Sequence, residues 1–286
     1  IYNEYMELGL RYPPTFTQVS TTEEASEVLR STVIDLVICM PGNADNDAFD
    51  VARDIKSRFP NIHCVVLTPF SHGITKRMEN EDLSIFDYVF CWLGNTNLIL
   101  SIIKLIEDKM NLEHDIQEAG VQMILLVEDS IRFYSSILPN LYNYILEQSK
   151  NFSKEALNRH AATMRMRGRP KVVLARTYEE AQKLYDKYSN NTLGVISDAR
   201  FPLKSAAKAF GNKVETEAKP KHRTDTFGRE KCPDAGLQLF RYIRKNDPFV
   251  PLILESSESD NRAKAEVEGF RFVDKNSKKM SVDLRR

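Results

Sequence analysis

The sequence predicts an α/β chain of two tandem domains, each a parallel sheet with helices on both faces. Three observations predict it. Short apolar runs end on polar residues: Met123-Ile124-Leu125-Leu126-Val127 runs into Glu128, Asp129 and Ser130, and residues 193–197 run into Asp198. These runs alternate with stretches whose apolar residues recur at helical spacing, the pattern of a buried parallel sheet with crossover helices. The same order of elements then occurs twice along the chain.

In the first half, residues 1–10 read as a helix remnant and residues 15–20 as a short alternating strand. Thr21 and Glu24 have the spacing of a capping box and open a helix. Apolar runs at 35–40, 62–68 and 86–91 read as three further strands. Residues 98–110 read as a closing amphipathic helix on Leu98, Ile102, Ile103, Leu105 and Ile106. No strand with an acidic end precedes residues 1–10. The domain is therefore expected to begin inside its first helix, with its first strand upstream of or missing from this chain.

The second half repeats the series. Strands are expected at 123–127, 171–175, 193–198, 251–255 and 270–274. Thr177 and Glu180 repeat the capping spacing before another helix. The domains are set at 1–115 and 116–286, with a polar boundary at 113–120. Two insertions stand out in the second domain. Residues 151–166 read as an additional helix, within an inserted stretch of about 150–168, on Phe152, Ala156, Leu157 and Met164. Residues 204–231 form a long stretch with little periodicity, read as a lid, a docking surface or a plain insertion.

Composition narrows the function classes. The chain has 286 residues, room for about two domains. Its 40 Lys and Arg balance 40 Asp and Glu, so no net field draws it to nucleic acid or an anionic membrane. Arg159, Arg165, Arg167, Arg169 and Lys171 form a local basic run, but no aromatic stacking set accompanies it, and it is expected to be solvated or partner-facing. His160 within it reads as a solvated helix histidine. Cys39, Cys64, Cys91 and Cys232 are scattered without a C-x-x-C pair. They are expected to be apolar fillers in a reducing, cytoplasmic compartment. No apolar run reaches the ~20 residues a membrane span needs, and no stretch reads as a signal peptide, so neither a span nor a leader is expected in these residues.

The strand ends carry the chemistry. Ligands of open α/β sheets bind beyond the carboxyl ends of the strands, at the switch in strand order. Glu128, Asp129 and Asp198 gathered there repel one another unless a cation sits among them, and oxygen-only ligation suits Mg²⁺. Ser256 follows the strand at 251–255, and Lys275 follows the strand at 270–274.

An acidic pair, an Asp, a hydroxyl and a Lys after successive strands resemble the receiver domain of response regulators. The Asp198-x-x-x-Pro202 spacing and Phe272, three residues before Lys275, also match that family. The resemblance implies a flavodoxin-like, five-stranded parallel sheet in each half. It implies Asp198 as phosphoacceptor, Mg²⁺ on Glu128, Asp129 and Asp198, and Ser256 and Lys275 as phosphoryl contacts. Phe272 becomes a switch aromatic, and Arg200 and Glu258 flank the path of water to an aspartyl phosphate. In the first half Met40 stands at the acceptor position and Cys91 at the lysine position, while Thr68 matches the hydroxyl. That half resembles a degenerate receiver. Asp45, Asp47 and Asp50 are expected to cap the next helix.

The implied function is a phosphorylation-controlled module of two-component type. Its phosphodonor is a histidine kinase or phosphotransfer protein, and its output lies in the same polypeptide. The motifs around Asp198, Ser256 and Lys275 also resemble receiver modules of bacterial phosphoenolpyruvate synthase-like proteins. A homodimer is a further partner the resemblance allows. Two rival readings stand beside it: a receiver-fold interaction or dimerisation module that is not phosphorylated, and a haloacid dehalogenase-type hydrolase, whose D-x-D motif Asp198-Ala199-Arg200 lacks.

Overall fold

The computed structural model describes residues 2–10, 12–40, 48–69, 83–204, 224–225 and 229–277. Asp45 and Asp47 lie outside the described residues, as do 205–223 and 226–228 of the long stretch expected at 204–231. Contacts divide the chain into two compact units, Ile1–Ile106 and Glu107–Arg286.

The first unit begins with helices α1 (Tyr2–Glu7) and α2 (Thr22–Ser31). Thr21 caps α2 as its spacing predicts: its hydroxyl accepts from Glu24 N at 3.2 Å, and the Glu24 carboxylate accepts from Ser20 N. Such caps stabilise a helix by about 1 kcal/mol. Strands β1 (Leu36–Cys39), β2 (His63–Pro69) and β3 (Tyr88–Trp92) form a parallel sheet in the order β1-β2-β3. Helix α3 (Ala48–Arg58) buries Phe49, Ala52 and Ile55. Asp50, on its first turn, pairs with Arg53 at 2.8 Å.

One expectation for this unit fails. Residues 15–20 form no strand, so among the described residues the sheet has three strands, not the four expected within this chain. Alternation alone does not make a strand without a neighbour to bond to, and 15–20 pairs with none of the described strands.

Helix α4 (Asn97–Ala119) runs through the stretch expected as a polar boundary at 113–120 and stops at Gly120, whose φ is +60°. Gly adopts that left-handed conformation without a Cβ clash. The contact division falls earlier, after Ile106 rather than after residue 115.

The second unit holds a five-stranded parallel sheet. Its strands are β4 (Met123–Val127), β5 (Lys171–Ala175), β6 (Thr192–Asp198), β9 (Leu252–Ser256) and β10 (Arg271–Asp274). The order β10-β9-β6-β4-β5 is 2-1-3-4-5 read within the unit, compatible with a flavodoxin-like fold. Helices α7 (Tyr178–Tyr188), α8 (Ala235–Asn246) and α9 (Asp260–Val267) connect strands. Thr177 caps α7 as Thr21 caps α2, accepting from Glu180 N at 3.1 Å. Ala181, Tyr185, Leu239, Phe240 and Ile243 from these helices pack with Leu125, Val127, Val195 and Leu254 of the sheet. A large aliphatic side chain so buried contributes ~1.5–3 kcal/mol.

The inserted helix differs from expectation. Helix α5 (Ile131–Lys154) absorbs residues 151–154, and a separate helix, α6 (Arg159–Arg167), follows. Asn158 restarts it, accepting from Ala161 N at 2.8 Å. Phe152, Leu157 and Met164, expected as apolar anchors, are exposed, and Arg165 lies over the Phe152 ring. His160 is exposed. The basic run divides too. Arg169 and Lys171 are buried, not solvated: Arg169 Nη2 lies 2.6 Å from Asp108 Oδ1, and Lys171 Nζ 2.6 Å from Asp115 Oδ2. Asp108 also accepts from the Tyr142 hydroxyl and from Val172 N. A buried guanidinium needs such a partner, which sequence periodicity does not reveal.

Candidate functional site: a carboxylate cluster at the strand ends

Strand β4 lies between β5 and β6, so the chain leaves β4 towards one side and returns on the other. The switch point of the sheet is therefore at the carboxyl end of β4. Glu128 and Asp129 follow β4, and Asp198 ends β6. Parallel register pairs Val127 with Ser197 and Asp198 with Glu255, which levels the strand ends. The ladder continues one step: Ala199 N donates to Glu255 O, and Lys275 N donates to Ser256 O.

Glu128 and Asp129 are fully buried, and Asp198 is partly buried. One carboxylate oxygen from each of the three lies within 4.8 Å of the others. Lys275 reaches the cluster from beyond β10. Its Nζ lies 2.8 Å from Asp198 Oδ1 and forms an ion pair with Glu128 Oε2 as well. The ammonium also lies over the Phe133 ring. Glu128 Oε1 accepts from Ser130 N, and Asp198 Oδ1 from Ala199 N.

Burial dominates the electrostatics. Desolvation pushes the Glu128 carboxyl up to about 8, against the pull of Lys275 and with help from Asp198 and Asp129. It pushes Asp129 up to about 6, opposed by Lys231. The neighbouring carboxylates outweigh desolvation at Lys275 and hold its ammonium charged, above the usual lysine range.

The other expected residues stand around the cluster. Ser256 is buried, and its hydroxyl oxygen accepts from Glu258 N at 3.1 Å and from Asn261 Nδ2 at 2.8 Å. The helix that follows begins at Asp260. Phe272 is half-buried against the core, and the Arg262 guanidinium lies over its ring. Arg200 and Glu258 pair across the surface at 3.1 Å, with side chains 33% and 51% exposed. In the first unit, Met40 follows β1 and is exposed, while Cys91 is buried in β3 and Thr68 in β2. No carboxylate replaces Met40 on that strand.

Two residues escaped sequence reading. Glu255 is fully buried on β9, and neither of its carboxylate oxygens has a hydrogen-bond partner among the described residues. Desolvation pushes it up to about 7, with Lys275 opposing and Asp198 adding to the rise. A carboxylate closing an apolar strand was the available signal. Lys231 lies 2.7 Å from Asp129 Oδ2. It sits in a stretch without periodicity, and nothing in its local sequence marks it.

The cluster fits a hard divalent cation. Its donors are all carboxylate oxygens, and Asp129 Oδ1 is buried without a hydrogen-bond partner among the described residues. Among the described residues, no helix is long and apolar enough to cross a membrane. No protein-family model matches this chain, and no curated protein matches it at a significant level.

Proposed function

We propose that residues 107–286 act as a receiver-type phosphoryl acceptor, and that the first unit is a degenerate relative of the same fold. The observation that carries this reading is the double ion pair of Lys275. One ammonium holds Glu128 and Asp198 together at adjacent strand ends, beside the buried Asp129. Helix-capping acids or a surface lysine, each a sufficient account of one residue, do not explain that convergence.

In the proposed reaction, an Asp198 carboxylate oxygen attacks the phosphorus of a donor. A new P–O bond forms, the bond to the leaving group breaks, and the leaving group keeps the electron pair. Lys275 supplies a point charge to a phosphoryl oxygen. Glu128, Asp129 and Asp198 would hold Mg²⁺, which supplies charge neutralisation at the gathering phosphoryl oxygens. Ser256 donates its hydroxyl to the phosphoryl group, and Phe272 responds as the switch aromatic. Positioning and charge are what such transfer requires. The donor is a histidine kinase or phosphotransfer protein. The module controls an output in the same polypeptide, of phosphoenolpyruvate synthase-like type, in the cytoplasm.

A second reading is a receiver-fold interaction or dimerisation module without phosphorylation. Lys231 favours it, because it compensates Asp129 from within the chain. Intact-mass measurement with acetyl phosphate decides between the two. The first reading predicts one added phosphoryl group with Mg²⁺, none with a chelator, and none in Asp198→Asn. An unmodified wild-type chain under all conditions selects the second.

A further inference from the structure

We propose that Lys231 is a built-in competitor of the divalent cation: its ammonium holds the Asp129 side of the carboxylate cluster, and metal loading must displace it. The inference rests on the reading of the cluster as a Mg²⁺-dependent acceptor site, and it adds a control to that site.

The placement of Lys231 is fixed by backbone pairing. Strands β7 (Phe201–Pro202) and β8 (Lys231–Cys232) form an antiparallel pair, with Pro202 opposite Lys231 and Phe201 opposite Cys232. Phe201 is fully buried, which anchors the pair three residues beyond Asp198. Upstream, Thr224 bridges to Glu230, and the buried Arg229 guanidinium pairs with Asp225 at 2.6 Å. The backbone that carries Lys231 is thus tied to the strand exit that carries Asp198.

From there the side chain enters the cluster. It is 17% exposed, and its Nζ lies 2.7 Å from an oxygen of the fully buried Asp129. Asp129 Oδ1 has no hydrogen-bond partner among the described residues. A cation bound by all three carboxylates takes oxygen ligands at ~2.0–2.1 Å if it is Mg²⁺. An ammonium at hydrogen-bond distance from Asp129 meets that ion at close range and repels it.

Charge counting points the same way. The three carboxylates, when ionised, carry three negative charges, and Lys231 and Lys275 carry two positive ones. These five groups then present one net negative charge to an incoming divalent ion, and two without Lys231; the buried Glu255 beside Lys275 adds equally to both counts when ionised. The lysine stem is flexible and its head is strongly hydrated, so it can leave to solvent when metal arrives. The unloaded cluster is thereby stabilised at the cost of metal affinity.

The test uses the full chain and Mg²⁺ alone, titrated by calorimetry, with Mn²⁺ paramagnetic resonance to count bound ions. Lys231→Met keeps the apolar stem without the charge, and Lys231→Gln keeps a neutral donor to Asp129. Both are expected to bind Mg²⁺ roughly tenfold more tightly than wild type, or more, through loss of one adjacent positive charge. Lys231→Arg keeps the charge and is expected to bind as wild type does. Equal or weaker binding in the Met and Gln variants, with wild type binding normally, overturns the role of Lys231 alone. Absence of binding in every variant and in wild type overturns the metal site itself, and this inference with it.

Discussion

Lys275 Nζ lies 2.8 Å from Asp198 Oδ1 while it also pairs with Glu128, so one buried ammonium ties together the ends of two neighbouring strands. Removing one partner of a buried pair leaves an uncompensated charge and costs ~3–5 kcal/mol. Lys275→Met is expected to lose that much stability in metal-free buffer, measured by urea unfolding. Adding Glu128→Gln to the same chain should recover part of the loss. A Lys275→Met protein as stable as wild type contradicts the pairing.

Glu255 makes stability depend on pH. Its carboxyl titrates at about 7 when folded, above an ordinary glutamate. Between the unfolded and folded values the native state binds more protons than the unfolded one, so stability falls as pH rises. The contribution is fully present below about pH 4 and lost as pH passes about 7. Its span is on the order of 3 kcal/mol, at ~1.4 kcal/mol per unit. Glu128 and Asp129, also raised, add to the same slope in the absence of metal. Glu255→Gln is expected to flatten the profile and to be more stable than wild type at pH 8. Unfolding midpoints from pH 5 to 8 check this, and an unchanged slope contradicts it.

Gly236 sets how closely α8 approaches the end of β6. A Cβ there meets Asp198 O at 2.2 Å, Leu254 Cδ1 at 2.9 Å and Ala199 Cα at 3.1 Å. Backbone cannot yield as a flexible side chain does. Gly236→Ala is expected to destabilise the chain by ~1–3 kcal/mol or more through overpacking, despite the better helix propensity of Ala. Denaturant unfolding measures it, and a stabilised variant contradicts this packing.

Arg200 and Glu258 pair on the surface, where such pairs contribute ~0.2–1 kcal/mol. Arg200→Ala with Glu258→Ala is therefore expected to leave stability nearly unchanged. Under the proposed function the pair screens the aspartyl phosphate from water, and each ~1.4 kcal/mol in barrier is tenfold in rate. The double variant is expected to lose its phosphoryl group faster after donor removal, with Mg²⁺ binding intact. An unchanged half-life shows that this pair does not gate the water.

Strands β4, β5 and β9 were legible because they are buried and mainly apolar along their length; β6 and the edge strand β10 are only partly buried and were placed by their order in the series. The capping pairs Thr21 with Glu24 and Thr177 with Glu180 were legible because the contact is local. Long-range pairing was not. Residues 15–20 alternate as a strand does but have no partner ladder. Residues 113–120 are polar, yet they continue α4 and pair through Asp115 with Lys171. Arg169 looked solvated because its partner, Asp108, lies 61 residues away in sequence. In the candidate site, Glu128, Asp129, Asp198, Ser256 and Lys275 were found by position at strand ends, whereas Glu255 stands one residue inside β9, and Lys231 depends on the β7–β8 pair, which spans a stretch without periodicity.

The central claim is that Asp198 accepts the phosphoryl group. Treating the chain with acetyl phosphate and Mg²⁺, then trapping with borohydride, reduces an aspartyl phosphate to homoserine at its position. Peptide mapping by tandem mass spectrometry is predicted to place that residue at position 198 and nowhere in residues 1–106. Trapping at another carboxylate, or no trapped residue in a chain that binds Mg²⁺, contradicts the assignment.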